Sequence, residues 1–202
     1  MVNSGKQEID SSLLLKAGEA LISEFGKWLK TPGEIDVFLQ IVRATAITLA
    51  KGQKIIFFGN GGSAAEASHL AGEFVGKCES EIGAQSAISL TDSGPILTAI
   101  ANDWNFDEIF ARQIRAIGRS GDFLIGLSTS GTSKNVINGL TQGKSMGMKT
   151  SLWTSQKFSG DSSSIDFLLV APTKRTPRAQ ELHLFLGHVM CEYIERMYSS
   201  AE

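Results

Sequence analysis

The chain has 202 residues, 42% of them hydrophobic, and a formal net charge of -2 at pH 7. Such a length and apolar share suit one well-cored domain and exclude a disordered chain, while a charge so near zero gives no electrostatic reason to expect nucleic acid. No apolar run approaches the roughly 20 residues of a membrane span, the first residues lack the pattern of a signal peptide, and Cys78 and Cys191 lack metal-type spacing. A cytoplasmic protein with reduced thiols and no membrane partner is the expectation.

From about Ile9 to Lys30, Leu14, Ala17, Leu21, Phe25 and Trp28 recur every three or four residues, which predicts an amphipathic helix. Thr31-Pro32-Gly33-Glu34 reads as the start of a second helix, with Thr31 as N-cap and Glu34 reaching back as in a capping box. Phe38, Ile41, Val42, Thr45 and Leu49 form its stripe. With no strand before them to close on, both helices are expected to bury their stripes in a partner subunit. The continuous apolar run Ile55–Phe58 reads as a buried strand, and Ser86–Leu90, Asp122–Leu127, Lys149–Trp153 and Ile165–Val170 read as four more. Helical patterns alternate with them, and the last runs from about Arg178 to Tyr198. The alternation predicts an α/β three-layer sandwich around a five-stranded parallel sheet, preceded by two helices.

Two strand-to-helix turns carry ligand-binding character. The first is Gly59-Asn60-Gly61-Gly62-Ser63, whose glycines allow positive φ and whose Ser63 suits an N-cap. It is neither a Walker loop nor a dinucleotide fingerprint, since its glycines fall elsewhere. The second, Ser128-Thr129-Ser130-Gly131-Thr132-Ser133, offers five hydroxyls and backbone N–H groups at a helix N-terminus. That donor cradle, without a fixed positive charge, suits a phosphate monoester. In an open parallel sheet both turns face the crevice at the carboxyl ends of the strands.

All three histidines lie in two helical segments. His69 and Glu73 are four apart and leave one face of their helix. On the last helix Gln180 and His188 share roughly one side, two turns apart, while His183 points elsewhere. Brought together, His69, Glu73, Gln180 and His188 would make a four-ligand site suited to zinc or a related divalent ion.

F-G-N-G-G-S followed by H-L-A-G-E-F, the N-D-W-N-F segment, S-T-S-G-T-S, and T-P-R-A-Q-E-L-H with a final His resemble the SIS-domain sugar isomerases. Within that group they resemble the phosphoheptose (sedoheptulose 7-phosphate) isomerases, over nearly the full length. The resemblance implies one flavodoxin-like SIS domain over residues 1–202, with residues 1–51 as a helical pair used in oligomerisation and 52–202 as the α/β core. It implies a homotetramer with sites between subunits, one Zn2+ per subunit, and interconversion of sedoheptulose 7-phosphate and D-glycero-D-manno-heptose 7-phosphate through an enediol.

Carried over by position, Ser128, Thr129, Ser130 and Ser133 match the phosphate loop, and Asn60, Gly61, Gly62 and Ser63 match the first substrate loop. Asn102 and Asp103 match the segment that contacts sugar hydroxyls. His69, Glu73, Gln180 and His188 match the metal-binding and catalytic positions, with Glu73 as base and His188 as its acid-base partner. Two positions depart from the family pattern, Lys77 where arginine is frequent and Pro177 where some members are acidic. The alternative is a non-catalytic SIS protein that binds the replication initiator or senses sugar phosphates.

Overall fold

The computed structural model describes residues 10–199. Two helices, α1 (Ser12–Leu29) and α2 (Pro32–Ala50), precede β1 (Ile55–Gly59), α3 (Gly62–Val75), β2 (Ala87–Ser89), α4 (Gly94–Asp103), α5 (Ile109–Ile117), β3 (Phe123–Leu127), α6 (Lys134–Ser145), β4 (Lys149–Ser155), β5 (Phe167–Ala171) and α7 (Thr176–Ser199). The sheet is wholly parallel, in the order β2-β1-β3-β4-β5. The expected three layers and five strands are therefore present.

Side chains alternate across a strand, so Ile55 and Phe57 of β1 face one helical layer and Ile56 and Phe58 the other. The first layer holds residues of α2, α3 and α7, and the second holds α4, α5 and α6. Because the chain steps from β1 outward to β2 and then back across to β3, the strand order reverses between β1 and β3. Ligand crevices open at such a point.

Three local expectations are corrected. The stripe of α2 is buried within its own chain against the face that carries Ile55, Phe57 and Leu169, because α2 covers the β5 side of the sheet. The most exposed apolar residues belong instead to α1, where Leu13, Leu14 and Ile22 are each about three-quarters exposed (77%, 75% and 74%). The capping box does not form either. Thr31 Oγ1 donates to Lys27 O, and Glu34 accepts from the Val170 N–H of edge strand β5, where it covers an otherwise open donor. Finally, α3 starts one residue before the expected cap, with Gly61 as N-cap at φ +56, so Ser63 is already inside the helix.

The contact that matters most for the site is α3 on α7. A Cβ on residue 187 would fall inside van der Waals contact of Leu70 Cδ2, so only glycine lets the two helices approach this closely. Leu70 and Gly187 are the immediate neighbours of His69 and His188. Gly187→Ala should therefore lower stability by about 1–3 kcal/mol, the usual range for overpacking a filled core. In a Leu70→Ala background the same change should cost much less, because the clashing group is gone. Equal costs in both backgrounds, read by chemical denaturation, would show that the contact does not limit the approach.

Candidate active site

Two turns flank the crevice, and a reciprocal amide pair locks them together. Asn60 Nδ2 donates to Asn135 Oδ1 at 2.8 Å and Asn135 Nδ2 donates back to Asn60 Oδ1 at 2.9 Å. Asn135 is buried in the first turn of α6, and the sequence reading passed over it. Its one signal was an amide residue just beyond the hydroxyl loop.

In that loop Ser128 Oγ donates to Ser133 Oγ at 3.0 Å and accepts from the Gly131 N–H at 3.2 Å. Ser130 Oγ accepts from the Thr132 N–H and hydroxyl, both at 3.2 Å. Thr129 is fixed from below, its carbonyl accepting from Ser155 Oγ at 2.5 Å. The hydroxyls thus already face one another around the start of α6, where backbone N–H groups are unpaired by helix geometry. Such a ring can turn its donors onto an anion with little reorganisation.

The chemically richest cluster lies farther along α3. The Nε2 atoms of His69 and His188 are 2.7 Å apart, and His69 Nε2 is 3.3 Å from Glu73 Oε1. Ligand atoms of all three residues lie within 4.8 Å of one another, and the His69 side chain is 45% exposed. Two imidazole nitrogens and a carboxylate at one point form a donor set that suits a divalent ion with an open coordination position. Gln180, the fourth expected ligand, has its amide packed on Gly62 and 3.5 Å from Ser63 Oγ, at the crevice end of α3. Asn102 and Asp103 close α4 on the surface, where Asn102 Nδ2 donates to Asp103 Oδ1, and share no hydrogen bond with either cluster among the described residues.

Behind the crevice sit two groups that take no part in those clusters. His183 is fully buried, with Nε2 at 2.9 Å from the Thr154 carbonyl and Nδ1 4.0 Å from Glu66 Oε1. Its Nε2 therefore carries the proton, and Nδ1 is an acceptor. Burial pushes the Glu66 carboxyl up to about 8 and the His183 imidazole down to about 4, so both are uncharged near pH 7. Cys78, beside Glu73, is pushed up to about 11 by burial and then by the Glu73 and Glu195 carboxylates, which keeps it a neutral thiol.

These two shifts give opposite pH dependences. The unfolded chain binds a proton at His183 below its usual 6.5 whereas the folded chain resists until about 4, so stability is lost as pH falls through that window. Glu66 holds a proton in the fold that the unfolded chain releases above its usual 4.5, so stability is lost as pH rises from there toward 8. Above 6.5 only Glu66 acts. Unfolding free energy should fall between pH 6.5 and 8 by up to ~1.4 kcal/mol per unit, and Glu66→Gln should flatten that limb; an equally steep limb in the variant would contradict the neutral carboxyl.

A sequence model of the SIS domain matches residues 31–155. A phosphoheptose isomerase from Thermodesulfovibrio yellowstonii is 45% identical over 161 residues, covering 80% of this chain and 80% of its own length. Among solved structures, phosphoheptose isomerase GmhA from Neisseria gonorrhoeae superposes with a TM-score of 0.85 at 34% identity, over 92% of this chain and 98% of that one. A phosphoheptose isomerase from Francisella tularensis gives 0.87 at 25% identity, over 94% and 100%. Extent and identity together leave one conclusion: the chain belongs to the SIS domain family, alongside its phosphoheptose isomerases.

Proposed function

We propose that this protein is an aldose-ketose isomerase that interconverts sedoheptulose 7-phosphate and D-glycero-D-manno-heptose 7-phosphate. The observation that carries the reading is the meeting of His69 and Glu73, on a helix that begins at the substrate crevice, with His188 of α7. From Gly62 to His69 is seven residues, about 10 Å of helix, on the scale of an extended sugar phosphate. Phosphate is held at one end by Ser128, Thr129, Ser130 and Ser133, while C1 and C2 reach the other. Asn60, Gly61, Gly62, Ser63, Gln180, Asn102 and Asp103 take the hydroxyls between.

Isomerisation moves a proton between adjacent carbons and needs a base over the C–H bond and an acid for the oxygens. Glu73 is the base and His188 the group that protonates and deprotonates O1 and O2. One Glu73 oxygen lies 3.3 Å from His69 Nε2, at the end of the crevice where the carbon-bound proton is taken. His69, Glu73 and His188 would hold one Zn2+ per subunit, which would supply Lewis-acid polarisation of the sugar oxygens, whereas the Gln180 amide, expected as a fourth ligand, sits at Ser63 and serves the sugar instead. Binding energy from the pinned phosphate places the reacting carbons.

The same reading covers assembly and location. Residues 1–202 form one SIS domain, and α1, with its open leucines, supplies the surface on which four subunits join. Among the described residues no helix is long and apolar enough to cross a membrane. A cytoplasmic location keeps Cys78 and Cys191 reduced. A purely regulatory or initiator-binding SIS module is disfavoured, since such a role gives no reason for two imidazoles and a carboxylate to converge.

The test is incubation of metal-analysed protein with sedoheptulose 7-phosphate and NMR of the product. Glu73→Gln should lower kcat by ~10²- to 10⁴-fold, the usual worth of a general base, with KM within a few-fold of the parent. Unchanged turnover in that variant refutes the assignment.

A further inference from the structure

The last turn of α3 carries Glu73 at a vulnerable position. Helix ends fray because their final carbonyls have no partner within the helix. Beyond the helix's own ladder, the turn is closed by Gly76 N–H to Gly72 O at 2.8 Å and Gln85 N–H to Phe74 O at 2.9 Å. The chain then runs through Lys77–Ser86 with no helix or strand, mostly exposed.

One side chain from α7 takes hold of that segment. Glu195 Oε1 accepts from the N–H groups of Cys78 at 2.9 Å and Glu79 at 3.2 Å, and Oε2 accepts from Glu79 at 3.1 Å and Ser80 at 2.9 Å. Three consecutive N–H groups closing on one carboxylate make an anion nest, built here around an internal anion. Glu195 is only 5% exposed, so these charge-assisted bonds compete little with water. The effort is unusual for a surface loop.

Its place on α7 gives the nest a purpose. Seven residues separate His188 from Glu195, two helical turns, so both leave the same face of α7. One presents its ring to His69, and the other grips the chain that leaves α3 five residues after Glu73. The cysteine at the head of the nest, Cys78, also lies beside Glu73. The Glu195 tether thus fixes how far α3 slides along α7, and with it the place of the Glu73 carboxylate relative to His188.

We propose that Glu195 is a positioning residue, which holds the end of α3 through the backbone of Cys78–Ser80 so that Glu73 stays in reach of His188 and the sugar. The proposal rests on the isomerase reading for its catalytic consequence, though the tether itself stands without it. Gln is a poor substitute, since its amide would point a donor at N–H groups that are themselves donors. Asp keeps the charge but is one methylene short.

The experiment compares Glu195→Gln and Glu195→Asp with the parent, and with Ile114→Val in the opposite helical layer as a mildly destabilised control. In Glu195→Gln, kcat should fall ~10- to 100-fold, the range for residues that orient a ligating side chain. KM should stay within about threefold because the phosphate loop is untouched, and Glu195→Asp should be intermediate. Zn2+ affinity, titrated without substrate, should fall about tenfold or more in the Gln variant, and the amides from Phe74 to Ser80 should exchange faster with solvent. Parental kcat in both variants, or a kcat loss no larger than that of the control at equal melting temperature, overturns the positioning role. If the parent itself does not turn over sedoheptulose 7-phosphate, the isomerase reading fails instead, and amide exchange decides the tether: unchanged exchange in Glu195→Gln overturns it.

Discussion

Because residue 187 has no side chain, α7 settles onto Leu70 closely enough for the rings of two histidines 119 positions apart to touch. Every other property of the metal-type cluster follows from that approach. His69 and Glu73 are one turn apart on α3 and need only a helix to face the same way. His188 comes from the far end of the chain and needs α7 to cross at the right height and depth. Depth is set by Gly187 against Leu70, and height is bracketed by the Gln180 amide against Gly62 at one end and the Glu195 nest at the other. Three contacts spread along one helix pair leave it little freedom to slide or tilt.

The sheet does a different job. By reversing its strand order between β1 and β3, it puts the Asn60 and Ser128 turns side by side at its carboxyl edge, and the Asn60–Asn135 amide pair then ties one turn to the other. Turns at the end of buried strands are among the most rigid loops a domain offers, because the strands beneath cannot shift without disturbing the core.

Most of this frame was legible in the sequence. A continuous apolar run identified β1, short segments between turns and helical patterns identified the other four strands, and regular spacing identified the helices. The meeting of His69, Glu73 and His188 was legible only as a possibility of spacing within each helix; their convergence depends on Gly187, whose lack of a side chain has no periodic signature. One error fell where a polar residue had two available partners. Glu34 and Thr31 have the spacing of a capping box, yet the open edge of β5 offers Glu34 a donor that no local pattern reveals. Asn135, Glu195 and Glu66 went unremarked for the same reason: each acts on a segment 75 to 117 residues away or is buried by one.

Charge distribution links the two halves of the site. Formal negative charges at Glu73 and Glu195 lie together at the far end of α3, where one carboxylate faces imidazoles and the other is enclosed by backbone N–H groups. Nearer the crevice, Glu66 and His183 are both held neutral by burial, so neither adds a formal charge there. Burying both groups to the point of neutrality sets them apart from the end of α3 where Glu73 meets two imidazoles.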